Sequence, residues 1–111
     1  MTTLNPDDGH MVLINTFTVD PDKADDLLAE LIHASKSIVS GDWGCLSANL
    51  HISEDRKHIA NYAQWRSPAH YKAFLDDPTI KAHLGKAAGL AKSLDPIIYS
   101  LRATETTDGA G

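Results

Sequence analysis

Asn61 and Trp65 stand four residues apart in the run His58-Ile59-Ala60-Asn61-Tyr62-Ala63-Gln64-Trp65. A β-strand points successive side chains to opposite faces. Ile59, Asn61, Ala63 and Trp65 then share one face, and Ala60, Tyr62 and Gln64 share the other. An amide and an indole N–H thereby project the same way from the end of a strand. Neutral donors of this kind can stabilise a developing oxyanion without being titrated. Ser67-Pro68 follows at once, a helix cap and a first-turn proline, so the pair sits where a helix begins. The arrangement suits a binding site. Plain packing of the indole in the core is the competing reading.

Other residue types that could do chemistry are sparse. His70 follows Pro68 on the helix beside the pair, and His83 lies on the next helical run. Either could contact a substrate or act as a general base at neutral pH. The six histidines, at positions 10, 33, 51, 58, 70 and 83, form no i,i+4 pair and no His-x-His, so no metal site is expected. Cys45 is the single cysteine. It excludes an intrachain disulfide and a thiolate cage, and reads as a small hydrophobe at a strand start. No phosphate-cradling glycine loop and no nucleophile elbow occurs.

The elements that must hold these side chains follow from periodicity. Met11 to Val19 is β-rich, and Asp20-Pro21 gives a cap and a first-turn proline. Ala24, Leu27, Leu28, Leu31, Ile32, Ser35 and Ile38 then recur at helical spacing over about five turns. Gly41 and Gly44 end that helix around Asp42-Trp43. Cys45 to Ser53 is the second strand, with Leu46, Ala48, Leu50 and Ile52 on one face. Glu54 to Lys57 makes a charged turn into the third strand. A short helix carries Tyr71, Phe74 and Leu75, and Asp77-Pro78 starts another helix expected to run to about Leu94. Gly85 and Gly89 weaken it, each by about 1 kcal/mol relative to alanine. Asp95-Pro96 reads as its breaker, and Ile97 to Arg102 as the last strand.

The order βαββαβ predicts a ferredoxin-like α+β fold, a four-stranded antiparallel sheet with its helices on one face. A two-residue turn at Glu54-Asp55 or a four-residue turn from Glu54 to Lys57 gives the same facing. Either way the apolar face of the second strand joins Ile59, Asn61, Ala63 and Trp65 under the helices. The other face, with Ser47, Asn49, His51, Ala60, Tyr62 and Gln64, has no helix to cover it. A second copy packed sheet to sheet, as an isologous homodimer, is the expected cover.

Size and charge exclude whole classes. The 111 residues suit one domain, expected over residues 11–102, with polar tails at 1–10 and 103–111. Hydrophobic residues at 42% and charged residues at 23% are ordinary for a globular chain. A net charge of −5 argues against nucleic acid. No apolar run approaches the ~20 residues of a membrane span and no signal-peptide core follows Met1, so a cytoplasmic protein is expected.

The stretch Asn61-Tyr62-Ala63-Gln64-Trp65-Arg66-Ser67, followed by Tyr71 and Phe74, resembles the antibiotic-biosynthesis monooxygenase family. So does Asn15 within Leu13-Ile14-Asn15-Thr16-Phe17-Thr18-Val19, and the likeness spans roughly Met11 to Arg102. The resemblance implies a dimeric α/β barrel. It also implies oxygenation of anthrones or related polyketide phenols to quinones, with dioxygen as co-substrate and no metal or flavin. By the same resemblance Asn15, Asn61 and Trp65 match positions implicated in the chemistry, and Tyr71 matches an aromatic that lines the pocket. Phe74 is expected to complete the aromatic wall, with His70 and His83 as further substrate contacts.

The match is incomplete. An arginine that some polyketide-acting relatives carry in the last helical segment is absent, where this chain has His83, Leu84, Gly85 and Lys86. The haem-degrading relatives share Asn15 but need a tryptophan near Phe74 and a histidine near Leu84. His83 is one residue away, a rotation of about 100° on a helix. Two function classes stay open: a cofactor-independent monooxygenase of a small aromatic substrate, and a non-catalytic dimeric module that binds an apolar molecule.

Overall fold

The computed structural model describes residues 10–107. Four strands form one antiparallel sheet: β1 (Met11–Thr18), β2 (Cys45–Ile52), β3 (His58–Trp65) and β4 (Ser93–Tyr99), in the order β2-β3-β1-β4. Three helices accompany it, α1 (Ala24–Ser40), α2 (Pro68–Leu75) and α3 (Pro78–Leu90). This is the expected ferredoxin-like arrangement, and the sheet is open at both edges. The anticipated N-terminal tail lies outside the described residues apart from His10, while residues 103–107 carry no regular structure and are exposed.

Register decides which side chains meet. Asn15 of β1 lies opposite Asn61 of β3, Leu13 opposite Ala63, Phe17 opposite Ile59 and Met11 opposite Trp65. Across β2, Leu50 faces Asn61 and Ile52 faces Ile59. The four-residue turn, Glu54 to Lys57, is therefore the one adopted. Ser53 N–H donates to the His58 carbonyl at 2.9 Å, and Arg56 takes a positive φ of 62°. The face that meets the helices is the one alternation picked out.

Its apolar residues form two clusters. One gathers Phe17, Val19, Leu27, Leu31, Ile59 and Ala87; the other gathers Met11, Leu13, Cys45, Ala63, Trp65 and Phe74. Asn15 falls between Leu13 and Phe17 on β1, and Asn61 falls between Ile59 and Ala63 on β3. The amide pair divides the core in two.

Three expectations need correction. A register shift between Cys45 and Ser47 puts Cys45 opposite Trp65. Cys45, and not Leu46, thereby joins the buried cluster; such a bulge bends the strand and re-aims its first residues. Helix α3 stops at Leu90, and β4 already begins at Ser93 and ends at Tyr99. Asp95-Pro96 lies inside that strand, because β4 is an edge strand, where proline need not break the ladder. Finally, Asp20 makes no side-chain cap bond: Pro21–Lys23 winds as a 3₁₀ turn ahead of α1, and Asp20 instead lies 3.7 Å from the Lys92 ammonium. The caps of the other helices hold. Ser67 Oγ accepts from His70 N–H, and Asp77 Oδ1 accepts from Thr79 and Ile80 N–H.

Candidate active site

Between the sheet and the helices lies a cavity of about 640 Å³. Strands β1 and β3 supply its floor through Leu13, Asn15, Phe17, Asn61, Ala63 and Trp65. Helix α2 adds Tyr71 and Phe74, α3 adds Ile80, His83 and Leu84, and α1 adds Glu30, His33, Ala34 and Ser37. Pro96 of β4 also borders it.

The polar atoms of the floor are its chemistry. Asn15 Oδ1, Asn61 Oδ1 and Trp65 Nε1 are buried, and none has a hydrogen-bond partner among the described residues. Leaving a buried donor or acceptor unpaired costs about 1–3 kcal/mol, so three in one cavity form an expensive arrangement. A ligand with matching groups removes that cost. Each amide carries an acceptor oxygen and an NH₂ donor, and the indole only donates. Together they can meet a phenolic O–H and a carbonyl or oxyanion on one molecule.

The wall at the Trp65 end is aromatic. Trp65 is 2% exposed, with ring centroids 5.2 Å from Tyr71 and 5.1 Å from Phe74 at interplanar angles of 62° and 53°. Such tilted contacts suit the ring quadrupoles. Burial pushes the Tyr71 hydroxyl above the ordinary phenol range, so it is a neutral donor at pH 7. Burial likewise pushes the Cys45 thiol up to about 11, which leaves it protonated and a poor nucleophile.

Six of the seven residues expected at the site therefore border one cavity: Asn15, Asn61, Trp65, Tyr71, Phe74 and His83. His70 does not border it. Its Nδ1 lies 2.6 Å from Ser67 Oγ, and its ring packs over Gly44, where an added Cβ would stand 2.6 Å away. Gly44 holds φ of 92°, and close approach and backbone conformation both require glycine there. Trp43 is a lining residue that sequence reasoning missed. It lines the cavity, and its ring meets Phe74 edge-on at 5.6 Å. A tryptophan held in a turn between two glycines was the available signal. Among the described residues, no group of three or more His, Cys, Asp or Glu could hold a metal ion.

Comparison with known proteins places the chain in a family. The chain is 35% identical over 83 residues to tetracenomycin-F1 monooxygenase of Streptomyces glaucescens, covering 75% of this chain and 74% of that protein. In fold it is similar to the ActVA-Orf6 monooxygenase of Streptomyces coelicolor, solved with the ligand nanaomycin D. The TM-score is 0.76 at 24% identity, over 87% of this chain and 91% of the other. It is similar also to SnoaB, a cofactor-independent oxygenase from Streptomyces nogalater, with a TM-score of 0.76 at 16% identity, over 86% and 96% of the two chains. Residues 10–86 match the family described as antibiotic biosynthesis monooxygenase. With the match covering most of its length, this chain belongs to the antibiotic biosynthesis monooxygenase family.

Proposed function

We propose that this chain is a cofactor-independent monooxygenase that oxidises an aromatic polyketide of the anthrone kind, or a small quinol, to a quinone with dioxygen. The observation that carries the reading is the trio of unpartnered polar atoms on Asn15, Asn61 and Trp65, set in an otherwise largely apolar cavity. For an anthrone, CH₂ and O₂ become C=O and H₂O. One oxygen atom enters the substrate, the other leaves as water, and the substrate supplies all the electrons. Once deprotonated, an electron-rich ring system can itself pass an electron to dioxygen, so the protein need only bind it, favour the enolate and hold the oxygenated intermediate. In this reading the indole N–H and the amide NH₂ groups stabilise the oxyanions, each contributing a few kcal/mol when preorganised, and the unpartnered amide oxygens accept from a substrate hydroxyl. Trp43, Tyr71 and Phe74 clamp the ring system, and His83 borders it from α3.

The reading includes a homodimer joined through the sheet face opposite the helices, which would complete the α/β barrel, and a cytoplasmic setting. Among the described residues, no helix is long and apolar enough to cross a membrane.

The test is oxygen uptake with a panel of anthrones and quinols, using protein shown by analysis to be free of metal and flavin. Trp65→Phe keeps the ring and removes the donor, and Asn61→Leu removes the amide. Each should slow turnover by roughly 10–10³-fold, with substrate affinity changed much less. Turnover equal to the parent in both variants would reduce these side chains to core packing and leave a binding module.

A further inference from the structure

A reaction that begins with an enolate needs a base, and the trio on the sheet cannot provide one. Amides and indole do not accept a proton near neutrality. Tyr71 is a neutral phenol, and Cys45 is a buried, protonated thiol. Asp77 borders the cavity too, but its Oδ1 is committed to the N–H groups that begin α3. His33 and His83 also border it, and both are exposed.

Glu30 is different. It is the one carboxylate that α1 contributes to the cavity lining. Leu27 and Leu31 on its own helix are buried against Phe17 and Ile59. Those two residues flank Asn15 and Asn61 along their strands at a distance of two positions, about 7 Å. The Glu30 side chain is only 17% exposed, and its Oε2 lies 3.4 Å from the ammonium of Lys86 on α3, which is 69% exposed. A shielded carboxylate thus stands at the wall of the cavity that the amides floor, paired with an exposed ammonium.

We propose that Glu30 is the catalytic base of this site and Lys86 its positioning partner, an inference that rests on the oxygenase reading above. In the step, the substrate C–H bond at the carbon to be oxidised breaks, and the proton forms an O–H bond on the Glu30 carboxyl. The electron pair stays on the substrate as the enolate, which then passes an electron to dioxygen. Lys86, 3.4 Å from Oε2, holds the carboxylate in place, and the proton leaves to water.

The experiment compares Glu30→Gln, Glu30→Ala and the parent by oxygen uptake with an anthrone, with and without added formate. Anaerobic substrate binding serves as the check on folding. Glu30→Gln should bind substrate like the parent and turn over about 10²–10⁴-fold more slowly. Formate should restore part of the activity of Glu30→Ala, a rescue that a structural role would not show. Parent-like turnover in Glu30→Gln, or a slow Glu30→Ala that ignores formate, overturns the assignment of the base. A parent that takes up no oxygen with any anthrone or quinol overturns the oxygenase reading itself.

Discussion

At the scale of single residues, the site is a local conflict within the core. Asn15 and Asn61 stand opposite one another on the two central strands, where apolar pairs would join both clusters into one. Their unpartnered oxygens cost stability, and replacing buried unpaired polar groups with apolar ones of like shape is often neutral or stabilising. Asn15→Leu or Asn61→Leu should therefore melt no lower than the parent while losing activity, which thermal denaturation beside oxygen uptake will check. A lower melting temperature in both would mean the amides hold the fold together. Asn61 and Trp65 were legible in the chain because strand alternation has a period of two, so facing follows from counting; Asn15 came from the family resemblance alone. Trp43 and Glu30 were not legible. A turn has no period to count along, and Glu30 on an amphipathic helix looks like any solvated carboxylate until the neighbouring helix is placed.

At the scale of elements, the caps and the alternation carried most of the fold, and the largest error fell between α3 and β4. Pro96 read as a helix breaker because its position at a sheet edge is a tertiary fact, and Gly85 and Gly89 made the preceding helix look weaker than it is. Helix α3 runs through both glycines. A Cβ built at either would meet no atom within 4 Å, so neither is there for close packing. Gly89→Ala should stabilise the chain by about 1 kcal/mol, raising the melting temperature by roughly 4–8 °C in a domain of this size. An unchanged or lower melting temperature would show that this last turn is held open for another purpose.

At the scale of the whole molecule, the sheet's second face is the unfinished part. Asn49 Nδ2 donates to the Tyr62 carbonyl at 2.9 Å, and Ser47 Oγ lies 3.3 Å from Gln64 Oε1. Polar groups here are therefore engaged within the chain. On the same face β4 leaves Ile97 and Tyr99 exposed at 41% and 44%, in register with Ile14 and Val12. Light scattering should give twice the 12.0 kDa chain mass at micromolar concentration, and Ala60→Lys should weaken that species by placing a charge at its centre. A parent that stays monomeric would remove the barrel. The cavity has one more consequence, an optical one. Trp43 and Trp65 are the only tryptophans in the chain, and both border the cavity. All of the protein's indole fluorescence therefore comes from the wall of the site. A bound quinone should quench it in proportion to occupancy, so a titration can read affinity without a label. Trp43→Phe should keep the part of that signal due to Trp65, and emission that ignores a bound ring would put the ligand elsewhere.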